Sequence, residues 1–289
     1  MASAVTASGG GQPPDLFNAL FGGDGSNIPP AISPAAISSA QNFIRELPLE
    51  VRQAAEDSYS ARSLLYTILL ARKNDGCRKM QLAQLRKFAD PGVYEMVLRL
   101  FPHIIGLSRP ACLSLAHRDL PALRQLSPAQ YQKFIQNMDA LVAADSTIDL
   151  FEWSVQAIVV HSLADCFGKR RTAKTDGGTF CSYAAYALSI LANAGHNEAL
   201  AERVFEKAQK HLPTRIAFDP SPFDPQKLFV AMQNLSKEKP RQKEKLMKAV
   251  ISCVEHDNDI NDDEAALVRA YAALLDSPLP ADFGLAQRA

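Results

Sequence analysis

The chain has 289 residues, 47% of them hydrophobic, with Lys plus Arg and Asp plus Glu both totalling 31. It is long enough to bury a substantial core, and its zero net charge gives no global reason to expect a nucleic-acid or anionic-membrane partner. The five cysteines, Cys77, Cys112, Cys166, Cys181 and Cys253, are odd in number and form no C-x-x-C pair, which suits reduced thiols in the cytoplasm rather than a disulfide framework.

Residues 1–32 are rich in Gly, Pro, Ser and Ala and read as a linker or tail. Within them Leu16, Phe17, Leu20 and Phe21 fall at helical spacing, enough for one amphipathic turn. From Ser33 onward a capping side chain followed by proline recurs at Ser33-Pro34, Asp90-Pro91, Ser127-Pro128 and Asp224-Pro225, and each pair predicts a helix start. Between these signals apolar residues return every three or four positions. Leu64, Leu65, Ile68 and Leu69 form one stripe; Val93, Met96, Val97, Leu100 and Phe101 a second; Tyr131, Phe134, Ile135, Met138, Leu141 and Val142 a third.

Alternating strand-like runs are missing, so the expected fold class is all-α, a multi-helix bundle of roughly a dozen helices. The expected division falls near Ser127, with a helical-repeat-like N-terminal layer over 33–126 and a second bundle over 127–289. Two irregular stretches interrupt the second part: 168–178, with Lys169, Arg170, Arg171 and Lys174, and the four-proline stretch 213–225. No apolar run approaches the roughly 18 to 20 residues needed to cross a bilayer, and no signal peptide is visible. The expected location is therefore cytoplasmic, without direct membrane insertion.

The most informative pattern is an acidic loop-to-helix element that occurs twice as Asp-x-x-Ile-x-x-x-Glu, over 145–152 and again over 257–264, with no gap in register. Asp145 and Asp257 are placed to close one helix, Ile148 and Ile260 to tuck the turn inward, and Asp149 and Asn261 to cap the next helix. Glu152 and Glu264 then stand at capping-box spacing. Carboxylates are favoured there by unpaired N–H groups and the helix dipole. The same residues also make a candidate site for a divalent cation such as Ca or Mg, with Asp257, Asp259, Asp263 and Glu264 in the second copy and Asp145, Asp149 and Glu152 in the first. The final eight positions of the second copy mimic half of an EF-hand loop, but Cys253 stands where the first carboxylate belongs, and Leu141 fills that slot in the other copy.

Both copies, each followed by an apolar helix, resemble the TerB-like tellurite-resistance helical domain. The helix after the second copy, running through Arg269 to Pro278-Leu279-Pro280, also resembles the C-terminal region of large bacterial zinc metalloproteases of the HtpX-like, prenyl-protease-related family. Further matches to that region are Leu47-Pro48 through Leu70, Leu120-Pro121 through Ser127, and Leu191 through His196, in order along most of residues 40–282. The resemblance implies a TerB-like second half and a partner that is either a separate protein or the protease portion of a parent chain. It also implies tethering to the inner membrane through an upstream region.

That family's chemistry requires H-E-x-x-H on a helix, two histidines one turn apart on zinc with the glutamate as base. None of the six histidines begins it: His103, His117, His161, His196, His211 and His256 are followed by Ile104, Arg118, Ser162, Asn197, Leu212 and Asp257. The expectation is thus a non-catalytic interaction or regulatory module, a separated or stand-alone accessory portion of such a protease. The alternative is a free-standing TerB-like stress protein that binds cations at the acidic turns.

Smaller signals have ordinary readings. His161 and Asp165 lie one turn apart and suit a satisfied histidine in a bundle. Gly195-His196-Asn197 reads as the end of one helix and the cap of the next. The basic run from Lys237 to Lys248 suits a solvated face, and Trp153, the sole tryptophan, suits core or interface.

Overall fold

A computed structural model of the chain describes residues 45, 47–144, 147–168, 179–256, 260–277 and 279. These form twelve α-helices and no strand: α1 Leu49–Ala54, α2 Ser58–Ile68, α3 Asp75–Phe88, α4 Val93–Ile104, α5 Arg109–Leu123, α6 Pro128–Val142, α7 Leu150–Phe167, α8 Phe180–Gly195, α9 Glu198–Ala208, α10 Pro225–Leu235, α11 Pro240–Val254 and α12 Asp262–Leu274. A short 3₁₀ turn, Gln209–His211, follows α9. The all-α bundle is therefore the architecture, and no helix among the described residues is long and apolar enough to cross a membrane.

Helix starts follow local chemistry. Ser127 and Asp224 cap α6 and α10 with proline at the first helical position, and Asn197 caps α9 through the backbone N–H of Leu200. Asp90-Pro91 behaves differently. Helix α4 begins two residues later, behind Gly92 at φ 82°, a left-handed conformation in which a Cβ would also strike the Tyr59 hydroxyl. Asp90 itself turns away from the helix end to accept hydrogen bonds from Arg62 and, at 2.7 Å, from Lys133, so it ties α2 to α6. Ser33-Pro34 and the apolar turn over 16–21 lie outside the described residues.

The three apolar stripes face inward, with Leu64, Leu65, Val97, Leu100, Phe134 and Met138 all buried. Helices α1 and α4 pack on α2, α2 on α5, α5 on α7, and α7 on α12 in the most extensive helix pair among the described residues. Helix α8 joins α9, α10, α11 and α12 on the far side. Among the described residues the buried apolar side chains form one cluster whose members run from Leu47 to Leu275 and lie on both sides of Ser127.

The proline-rich stretch between the 3₁₀ turn and α10 forms a strap over α8. Prolines 213, 220, 222 and 225 have no N–H to offer, so the strap is held by side chains. Ile216 N–H donates to Gln209 Oε1 and Asp219 N–H to Ser189 Oγ, both at 2.9 Å. The Tyr186 hydroxyl donates to the Pro222 carbonyl at 3.1 Å and accepts from Asp224 N–H at 2.8 Å, and Trp153 Nε1 donates to the Pro225 carbonyl at 3.0 Å. Lys227 completes the joint, over the Tyr186 ring and 3.0 Å from Asp219.

One buried group works against the fold. Asp119, inside α5, is fully buried, and among the described residues neither carboxylate oxygen has a hydrogen-bond partner. Burial pushes its pKa well above the ordinary 3.8, only partly countered by Arg118. The folded state therefore holds this proton while the unfolded chain releases it, and stability falls as pH rises above the unfolded value. Asp119→Asn is expected to be more stable than the parent at pH 8 by about 1–3 kcal/mol, the advantage shrinking towards pH 4. Urea unfolding of both proteins across that range checks the sign and the window.

Candidate functional site

The two acidic turns meet. Asp149 caps α7 by accepting from Glu152 N–H at 2.7 Å, and the Glu152 carboxylate accepts from Asp149 N–H at 3.1 Å, which closes a reciprocal capping box. Asn261 does the same for α12. Its Oδ1 accepts from the N–H groups of Asp263 and Glu264, both at 2.9 Å, and Glu264 Oε2 accepts from Asn261 N–H at 3.0 Å. The duplicated pattern thus builds the same device twice, and α7 packing on α12 brings the two starts side by side.

Between them stands Arg109, at the first position of α5. Its guanidinium donates to Asp149 Oδ2 at 2.6 Å and to Asp263 Oδ1 at 2.9 Å, and it lies over the Phe151 ring at 5.0 Å from the centroid. Three helix N-termini therefore converge on one cation and two carboxylates. Burial works to lower the Arg109 pKa, but Asp149 and Asp263 outweigh it and hold the group charged. Burial raises the Asp263 pKa, with Asp149 adding to the rise and Arg109 opposing it. Arg109 carried no warning in the sequence beyond an oddity: a cation in a helix's first turn opposes the dipole and needs an anion nearby.

The second copy is also locked into the end of α8. Asn261 Nδ2 donates to the Ala194 carbonyl at 3.0 Å, and Glu264, 1% exposed, places Oε1 3.9 Å from His196 Nδ1. The His196 and His256 rings meet edge to face at 6.0 Å. Gly195 is required by this approach, because a Cβ there would come within 1.9 Å of Glu264 Oε1. Cys253, at the position that breaks the EF-hand register, is fully buried, and burial together with Glu264 pushes its thiol pKa far up.

Of the candidate cation ligands, Asp149 and Asp263 are thus brought together on Arg109, while Glu152 and Glu264 close their caps. Asp145, Asp257 and Asp259 lie outside the described residues. Among the described residues no group of three or more His, Cys, Asp or Glu side chains is placed to hold a metal ion. His161 pairs at 3.4 Å with Asp276, from beyond α12, and Lys243 reaches the other oxygen of the same carboxylate.

A second feature escaped the sequence altogether. Helices α6 and α7 and the strap's junction with α10 enclose a groove of about 620 Å³, and Pro222 and Phe223 separate it from a smaller cavity of about 380 Å³ against α8. Comparison with known proteins finds no matching family model, no matching curated sequence and no matching solved structure.

Arg109→Met is expected to leave two carboxylates facing each other without their cation and to lower stability by about 1–2 kcal/mol, a modest figure because all three side chains are partly exposed. Added salt should recover part of the loss, and the Asp263 pKa should rise further in a carbon-detected NMR titration. The Gly195–Glu264 approach gives a separate test. Gly195→Ala should cost about 1–3 kcal/mol through overpacking, and combining it with Glu264→Ala should cost less than the two single losses added, as read from denaturant midpoints.

Proposed function

We propose that the chain is a non-catalytic interaction or regulatory module, TerB-like in its second half, of the kind that accompanies a bacterial membrane zinc metalloprotease of the HtpX-like, prenyl-protease-related family. The observation that carries this reading is the fate of the duplicated acidic element. Its described carboxylates serve helix ends and an internal ion pair, so they hold α5, α7 and α12 in register. A scaffold fixed in this way presents surfaces rather than reacting groups, and the groove beside α7 is lined by none of Arg109, Asp149 and Asp263. The expected partner is a separate protein or the protease portion of a parent chain on the cytoplasmic side.

The experiment is an assay of the purified chain against an unfolded protein substrate and fluorogenic peptides, with and without a zinc chelator. No cleavage is expected in either condition; chelator-sensitive cleavage would sink the reading. Calorimetric titration with Ca²⁺ and Mg²⁺ addresses the rival, a cation-binding stress protein. The module reading expects no saturable heat, whereas saturable heat abolished by Asp257→Ala with Glu264→Ala would favour the rival.

A further inference from the structure

We propose that the exposed cleft between α3 and α4 docks an amphipathic helix of a protein partner, one that carries glutamate or aspartate beside its apolar face. This rests on the module reading above and adds a surface and the chemistry of the partner.

The shape comes from a helical hairpin. Among the described residues the large hydrophobic side chains left exposed are Leu49, Met80, Phe88, Leu98 and Ile105, and all but Leu49 belong to the pair that α3 and α4 form. The Arg86 guanidinium lies 6.0 Å from the centre of the Tyr94 ring and that of Arg78 lies 5.2 Å from the centre of the Phe101 ring, so the two helices run antiparallel, side by side. On α4 and its cap, Tyr94, Leu98, Phe101 and Ile105 recur every three or four positions and form one stripe on the side that meets α3. On α3, Lys79, Leu82 and Arg86 form the facing stripe by the same spacing. A cleft between two packed helices accepts the side-chain ridge of a third, and the α4 stripe offers about 16 Å of helix for it to lie along. Leu98 is 43% exposed and Ile105 39%, and Tyr94 and Phe101 are packed partly against the core. Side chains seated in this way line a cleft rather than protrude, which fits a helix laid along them better than insertion into a bilayer.

The charge selects the occupant. Lys79 and Arg86 are exposed, and among the described residues neither is paired with a carboxylate. The hairpin's own carboxylates are placed elsewhere: Asp75 is taken by Arg78, Asp90 by Arg62 and Lys133, and Glu95, next to Tyr94, stands about 100° round the helix and off the stripe. Every residue from 75 to 105 is described, so these are all the carboxylates the hairpin has. Arg86, held over the Tyr94 ring, donates no hydrogen bond among the described residues, and its planar edge is open to a carboxylate. A cationic row beside an apolar stripe draws an acidic amphipathic helix and repels a basic one.

The full chain is titrated into two fluorophore-labelled synthetic amphipathic helices of identical pattern, one of leucine and glutamate, the other of leucine and lysine. Anisotropy reads binding, and calorimetry serves as a second readout. The expected result is saturable binding of the glutamate peptide at least tenfold tighter than the lysine peptide. Arg86→Glu should weaken the glutamate peptide at least threefold and Leu98→Glu at least tenfold, with helical content by circular dichroism unchanged. Lys239→Glu makes the same charge change on exposed α11 surface and should shift the affinity less than twofold. Equal binding of the two peptides, no binding of either, or an affinity that Lys239→Glu lowers as much as Arg86→Glu would overturn the proposal. So would co-sedimentation with phosphatidylserine-containing vesicles that Leu98→Glu abolishes, which would assign the cleft to a lipid surface, or self-association that Leu98→Glu abolishes, which would assign it to a second copy. Each of these outcomes leaves the module reading standing, whereas chelator-sensitive peptidase activity would remove that reading without touching the cleft.

Discussion

The arrangement turns on a single guanidinium. Three helices begin within reach of Arg109, and helix beginnings carry partial positive charge, so their convergence is unfavourable unless anions stand among them. The acidic residues of the duplicated element meet that requirement, with Asp149 and Glu152 at α7 and Asp262, Asp263 and Glu264 at α12. Their excess negative charge then needs a counter-ion, and α5 supplies it from its own first residue. The result fixes the relative position of α5, α7 and α12, the helices that join the N-terminal layer to the rest of the core.

From that junction the other features follow by packing. Helix α12 is set against α7 on one side and against the end of α8 on the other, where the absent side chain of Gly195 leaves room for buried Glu264. Helix α7 is thereby used on several faces at once: by α5, by α12, by α6, and by the Trp153 bond that ties it to the strap at Pro225. The stripe left between α6 and the strap is the groove floor.

Local signals were legible in the sequence and distant ones were not. Ser127, Asp149, Asp224 and Asn261 could be read as caps because a cap depends on residues within a single turn, and both copies of the element fold as capping boxes for that reason. Asp90-Pro91 carries the same letters but not the same role: two cations from other helices compete for the Asp90 carboxylate, and Gly92 takes the cap position. Arg109 could not be found by pattern, since its partner Asp263 lies 154 positions away. The division expected near Ser127 rested on a local helix start, and buried residues on both sides of it belong to one apolar cluster. The groove needs three separate elements to exist, so no window of sequence contains it.

The strap has a consequence for how the molecule opens. A helix loses its hydrogen bonds together, whereas the strap's backbone is held at separate points by Gln209, Ser189 and Tyr186, each acting alone. Free energies of local opening need not equal that of global unfolding, and segments tied by few independent bonds occupy the low end of the range. The amides of Ile216, Asp219 and Asp224 each depend on a single side-chain acceptor, from Gln209, Ser189 and Tyr186. Since Pro222 and Phe223 line both cavities, any displacement of the strap would reshape the two together.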